Sequence, residues 1–195
     1  MPARSAPDPA RRNERSRRAI LAAALELLGE TGYADLTVEA IAARAGVGKQ
    51  TIYRWWAGKG AVILDALAEG AADAPELPDT GDVEADLRAV VRATVAELAD
   101  PALSATTRAL TIETLSDDAL AEQVRDRLLR PHLDTVVVRL RAGQDAGQIR
   151  ADVDPAQAVE LLFGPLYHRW LLRTGPLTEG YADGVTDLAL AALRP

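Results

Sequence analysis

Gly46-Val47-Gly48-Lys49-Gln50-Thr51 is the stretch whose residue types come nearest to a machinery for chemistry. A glycine-rich turn followed by lysine can cradle phosphate through backbone N–H groups and an ammonium. The hydrolytic form of that loop needs a hydroxyl directly after the lysine to hold Mg²⁺, and Gln50 stands there. It also needs a preceding strand, and none is indicated before Gly46. Nucleotide hydrolysis is not expected. Other reactive groupings are equally lacking. The chain has no cysteine, and His132 and His168 are its only histidines, without paired spacing. No Ser/His/Asp set is visible from spacing. No catalytic residue, metal site or cofactor is expected, and the chain is not read as an enzyme.

The same stretch makes better sense as recognition. Two helices meeting steeply over a tight turn need a small residue where they touch, a glycine able to adopt positive φ at the turn, and a branched apolar residue to close the core. Ala42, Gly46 and Ile52 stand at those places. Ile41, Ala45 and Val47 are apolar where the core needs them, and Arg44, Lys49, Gln50 and Thr51 are polar where the surface should lie. Both lysines of the chain flank the second short helix, Lys49 at its start and Lys59 just past its end.

Around this motif the pattern is helical throughout, about nine helices and no convincing strand, so the expected class is all-α. Residues 1–12 read as a flexible basic arm, because Pro2, Pro7 and Pro9 disfavour a helix. Residues 13–73 form the helix-turn-helix domain, 74–81 a linker with two prolines and a glycine, and 82–195 a helical second domain. In the first domain a long helix runs from about Asn13 to Thr31, with Gly32 at its left-handed end, and Thr37 caps Val38 to Ala45. In the second, Asp82, Asp100, Ser116 and Asp154 open helices, and Pro131 should kink or divide the long one that follows Ser116.

Charge divides along the same boundary. Residues 1–60 hold ten Arg/Lys and six Asp/Glu, a net of +4. The remaining residues hold twelve and twenty-three, a net of −11, which gives the overall −7. A basic head on an acidic body points to a polyanion meeting only the head. No apolar stretch is long enough to span a bilayer and no signal-like segment opens the chain. With cysteine absent, a cytoplasmic protein without a membrane partner is expected.

From Arg17 to Leu67 the chain resembles the TetR family of bacterial regulators. The residues that carry the likeness are Gly32-Tyr33, Leu36-Thr37-Val38, Ile41-Ala42, Ala45-Gly46-Val47, Thr51-Ile52-Tyr53, Trp55-Trp56 and Gly58-Lys59, in that order. The resemblance implies that the third helix lies in the major groove of double-stranded DNA. Lys49, Gln50 and Thr51 would then meet base edges or, for Lys49, a phosphate. Tyr53 and Lys59 match phosphate-contacting positions, with Lys59 at the start of the fourth helix. Thr37 would touch the backbone as well as cap its helix. Trp55 would lie on the sugar-phosphate surface, and Trp56 would be core beside Ile52. Gly48 stands where a serine N-cap is common. Arg11 and Arg12 would reach a minor groove or remain in a solvated tail, and Arg17 and Arg18 would meet phosphate.

Two apolar stripes mark the C-terminal region: Val159, Leu162, Phe163, Leu166 and Trp170, then Tyr181, Val185 and Leu188. They could close a monomer core or pair with a second copy. The resemblance favours a homodimer seated there, matching a palindromic operator. Thr107, Thr111 and Thr114, with Tyr167 and His168, are expected around a pocket for a small-molecule effector. The resulting expectation is a repressor that releases its operator when the effector binds. An activator or dual regulator of the same fold is one alternative. A helical small-molecule-binding protein without DNA function is another.

Overall fold

The computed structural model describes residues 9–71 and 77–195, with side chains for 13–70 and 77–195. Residues 1–8 of the expected arm, linker residues 74–76 and the side chains of Arg11 and Arg12 lie outside the described residues, and residues 9–12 of that arm are helical. The expected all-α class is the class observed, with no strand among the described residues. Helices α1 to α4 span Pro9–Asp35, Val38–Ala45, Lys49–Tyr53 and Lys59–Ala71. Then come α5 (Val83–Ala99), α6 (Pro101–Thr114), α7 (Asp118–Val124), a π turn (Arg125–Leu129), α8 (Arg130–Asp145), α9 (Pro155–Leu172) and α10 (Glu179–Leu193). The segment from α7 through the π turn to α8 is unbroken, so nine helical runs are described.

Local chemistry sets most boundaries. Thr37, Asp82 and Thr178 accept hydrogen bonds from the third N–H beyond them, and Asp154 from the second. Asp100 Oδ1 accepts from both Ala102 and Leu103, ahead of Pro101. Each bond satisfies an N–H that the helix itself leaves free. Three boundaries differ from the sequence expectation. Helix α1 begins at Pro9, because proline at the first helical position lacks only an N–H that would be unpaired there anyway. The cap of α7 is Asp117, whose Oδ1 accepts from Leu120 N at 2.9 Å. Ser116 turns back to donate to Glu113 O. Pro131 does not divide the helix; the π turn directly before it accommodates the missing N–H.

The chain forms two compact units, Met1–Asp73 with Ala109–Val124, and Ala74–Arg108 with Arg125–Pro195. The sequence placed 109–124 with the second domain. In the first unit Leu120 is buried, and a Cβ built on Gly60 would lie 3.1 Å from its side chain, so α7 packs on α4. The first core is Ile20, Leu27, Leu36, Ile41, Ile52, Trp56, Val62 and Ile63 with their neighbours. The second joins α5, α8, α9 and α10 through Leu87, Val91, Leu140, Leu162, Leu166 and Leu190. Beside it Arg139 Nε donates to Asp86 Oδ2 at 2.6 Å, with both side chains almost fully buried. Asp86 also accepts from Thr80 N and Thr80 Oγ1. Burial pushes the Asp86 carboxyl up, but Arg139 and Thr80 outweigh it and hold the carboxyl below its ordinary value.

Candidate nucleic-acid interface

Between α2 and α3 the chain reverses over three residues. Gly46 has φ 67° and ψ 33°, a left-handed conformation that costs a side chain strain. Val47 N donates to Ala42 O at 3.0 Å, which closes the helix end. Ala42 is buried at the contact, and Ile52 is 0% exposed beneath α3. Gly48 precedes α3 with extended backbone and no side-chain cap. Thr51 N donates to Gly48 O at 2.8 Å and starts the helix without one.

With Ile52 turned inward, α3 shows solvent a polar and aromatic face. Lys49 and Gln50 are exposed, Thr51 is half-buried, and Tyr53 and Trp55 are 53% and 44% exposed. Trp56 is buried and donates from Nε1 to Asp65 Oδ2 at 2.8 Å, which ties the end of α3 to α4. The two indole centroids are 6.2 Å apart, one ring in the core and one outside. This face offers an ammonium, an amide, two hydroxyls and an aromatic plane on one short rigid element. It can donate to phosphate, pair with base edges and stack.

Comparison with known proteins agrees with this geometry. Residues 20–66 match the model for bacterial regulatory proteins of the tetR family. Residues 77–189 match the tetracyclin repressor-like C-terminal domain. The chain is 34% identical over 184 residues to the uncharacterized HTH-type transcriptional regulator YdeS of Bacillus subtilis (strain 168), covering 94% of this chain and 90% of that one. It is 32% identical over 187 residues to the DNA-binding transcriptional repressor TetR of Mycobacteroides abscessus (strain ATCC 19977), covering 94% and 97%. The crystal structure of the TetR family transcription regulator SCO0332 superposes with a TM-score of 0.78 at 34% identity, covering 92% of this chain and 99% of that one. The chain belongs to the TetR family. It is a helix-turn-helix transcriptional regulator, and no described helix is long and apolar enough to cross a membrane.

Several cations expected on DNA are engaged within this TetR-family chain. Lys59 is half-buried, and its ammonium donates to Tyr33 O at 2.8 Å and Leu36 O at 3.1 Å, with Ala34 O at 3.5 Å. It also lies 4.5 Å from the Tyr33 ring centroid. Its protons are spent on the carbonyls of the α1–α2 connection, where Gly32 (φ 76°, ψ 169°) breaks the helix. Arg17 is not a free phosphate contact either. It pairs with Glu14 and Glu69 and lies 3.9 Å from Asp65. Arg18 pairs with Glu14. Lys49 pairs with Glu39 on α2, and that ammonium holds the Glu39 carboxyl below its usual range. Arg44 binds Glu30 through two nitrogens and joins α2 to α1. Glu14 stands one helical turn from Arg17 and Arg18 and is legible from spacing, whereas Glu69, Glu39, Glu30 and the carbonyls held by Lys59 sit on other segments that sequence alone does not bring near. Sequence inspection also passed over Arg54, an exposed cation at the end of α3 between Tyr53 and Trp55. Its position among the exposed aromatics was the available signal.

The second unit corrects two further expectations. Val159, Leu162, Phe163, Leu166, Trp170 and Val185 are buried in the unit's own core, covered by α5 and α8. Tyr181 is half-buried and donates to Pro165 O at 3.1 Å. Of the eight residues expected at a dimer interface, only Leu188 is fully exposed, at 76%. Helical periodicity marks an apolar stripe without saying which neighbour covers it. The outer faces of α9 and α10 instead expose Leu161, Gly164, His168 and Leu172, and Gly180, Gly184, Leu188 and Ala191. As for the pocket, open grooves of about 510 and 430 Å³ are lined by Val83, Gln148 and Arg194 and by Arg92, Ala96 and Leu177 among others. Thr107, Thr111, Thr114, Tyr167 and His168 line neither. Thr114 Oγ1 donates back to Thr111 O in its own helix, Tyr167 is packed against the core, and His168 is exposed.

Proposed function

We propose that this chain is a ligand-responsive repressor that binds a palindromic operator as a homodimer and releases it when a small molecule occupies the second unit. The observation that carries the proposal is the α3 face: Lys49, Gln50 and Tyr53 project from a helix whose opposite side is fixed by Ile52, Ala42 and the Gly46 turn. In this reading Gln50 and Thr51 meet base edges. Tyr53, Arg54 and Trp55 meet the sugar-phosphate backbone, with Thr37 and the N–H groups behind Gly48 beside them. Lys49 leaves Glu39 for the DNA, exchanging one exposed ion pair for another. The Mycobacteroides abscessus relative is a repressor, which favours repression over activation here.

The dimer is proposed to form through the outer faces of α9 and α10. Gly164, Gly180 and Gly184 would let helices approach closely, and Leu161, Leu172 and Leu188 supply apolar area. A two-fold pair would set two copies of α3 about 34 Å apart, one turn of DNA. An effector acts only through its differential affinity for the DNA-competent and incompetent arrangements.

A mobility-shift titration with DNA from upstream of the chain's own gene tests the proposal. The expected result is one retarded complex whose footprint has two-fold symmetry. Binding that is equally strong on random duplex, or unaltered in sequence preference by Gln50→Ala, would refute the assignment of α3.

A further inference from the structure

Arg108 differs from most of the arginines around it in the second unit, although Arg169 too is held only by a carbonyl and a ring. Arg88, Arg92, Arg139, Arg150 and Arg194 each hold a carboxylate. Arg108, half-buried on α6, has no carboxylate within ion-pair distance among the described residues. Its Nη2 donates only to neutral oxygens, Trp170 O at 3.1 Å and Ser104 Oγ at 3.3 Å. Its Nε is buried without any partner. Its guanidinium lies 4.8 Å from the Trp170 ring centroid, and Trp170 Nε1 donates to Ser104 Oγ at 2.7 Å. Tyr167 stands edge-to-face against Trp170 with centroids 6.0 Å apart.

A second cation stands three residues beyond Trp170, whose carbonyl Arg108 holds, at the same end of α9. Burial first, and then Arg173, lowers the pKa of Arg108. Arg173 ends α9 with φ 54° and ψ 37°, the only non-glycine residue at positive φ among the described residues. Glycine fills the other positive-φ sites, Gly32, Gly46, Gly81 and Gly147. An arginine in left-handed backbone is strained where glycine is not. Two arginines without an acid, in a region whose net charge is strongly negative, form a locally positive spot that no carboxylate among the described residues neutralises.

We infer that Arg108 and Arg173 form a binding site for the oxyanion of a small organic acid or phosphate monoester at the C-terminal end of α9, beside the Trp170 carbonyl. The Nε–Nη2 edge of Arg108 is the fork that a carboxylate or phosphate takes in bidentate fashion. One oxygen accepts from Nε, which has no acceptor now. The other takes Nη2 from Ser104, the longest contact on that edge. Ser104 keeps its bond from Trp170, so the exchange orphans no donor. The site deepens the proposed effector response and rests on that reading only for its consequence on DNA.

The test is isothermal titration of the full chain at fixed ionic strength with octanoate, octyl phosphate and octanamide. Octanoate or octyl phosphate should bind and the neutral amide should not. The stronger of the two oxyanions identifies the source. Arg108→Gln should weaken oxyanion binding by at least about thirtyfold, and Arg173→Gln by about threefold. Arg108→Lys keeps the charge without the planar fork and should still weaken binding by about tenfold. It serves if the Gln variant does not fold. Oxyanions that bind no better than octanamide overturn the site, as does binding unaltered in both Arg108→Lys and Arg173→Gln. The same probes are added to the mobility-shift assay. An oxyanion that binds through Arg108 without releasing DNA upholds the site and removes the effector reading. DNA released by another molecule, with no oxyanion bound, does the reverse.

Discussion

The Lys59 ammonium lies 2.8 Å from the carbonyl oxygen of Tyr33, and so the first turn of α4 is fastened to the α1–α2 connection. A charged donor on partly buried carbonyls contributes about 1.5–3 kcal/mol. Lys59→Met should lower the stability of the first unit by that amount in chemical denaturation. The salt dependence of DNA affinity should keep its slope, because the lysine is not spending its charge on phosphate. A slope reduced by about one would return Lys59 to the DNA backbone.

Arg54 and Gln50 should separate position from specificity. Arg54→Gln is expected to weaken binding to all duplexes alike and to reduce the salt slope by about one. Gln50→Ala should cost about 1–3 kcal/mol at particular operator positions and leave that slope alone. Competition titrations with single-base operator variants at several salt concentrations read both effects. A specificity change from Arg54→Gln would reverse the two roles.

Gly46 admits no side chain without strain, although a Cβ built there meets nothing within 4 Å. The cost of Gly46→Ala is therefore backbone alone, about 1–2 kcal/mol, and Gly46→Asn should cost less because asparagine tolerates positive φ. Thermal melts of the three proteins should rank glycine, asparagine, alanine. Equal melting of the alanine and glycine proteins would contradict the left-handed turn.

The Asp86–Arg139 pair makes the second unit sensitive to acid. The folded-state pKa of Asp86 lies below its ordinary value of 3.8. Its contribution is therefore fully present above that value and is lost as pH falls through the lower folded one. Asp86→Asn strands a buried guanidinium and should cost about 3–5 kcal/mol at neutral pH. The variant should also lose part of the acid dependence of its unfolding midpoint. An unfolding curve equally acid-sensitive with asparagine in place would show that other carboxylates govern it.

Leu188 is exposed, so Leu188→Glu should leave the protomer folded while separating the proposed dimer. Sedimentation should give the protomer mass with unaltered helical content, and operator affinity should fall by more than about tenfold. A dimer that persists would place the interface elsewhere.

What was legible in the sequence was what neighbouring residues decide. Thr37 caps α2, Gly46 bends the chain and Asp154-Pro155 opens α9 through bonds that span five residues or fewer. Tertiary choices were not legible. The stripe from Val159 to Trp170 is apolar whichever surface it meets, and only the placement of α5 and α8 made it core. Lys59 and Arg17 have the residue type of a phosphate contact. The carbonyls that Lys59 holds and the Glu69 carboxylate that Arg17 holds lie more than twenty residues away, where no local pattern reaches. Arg108 went unnoticed because an arginine lacking its acid looks the same in sequence as one that has it.

The π turn at Arg125–Leu129 implies tolerance of changes in length. A wide turn of this kind takes up a surplus residue that would otherwise rotate every following side chain by about 100° around the helix axis. Removing one of those five positions should restore ordinary winding and leave Val136 and Leu140 facing inward. The same deletion a turn into α8 would swing that row toward water. Members of the family that are one residue shorter should carry their gap here, immediately ahead of the position of Pro131.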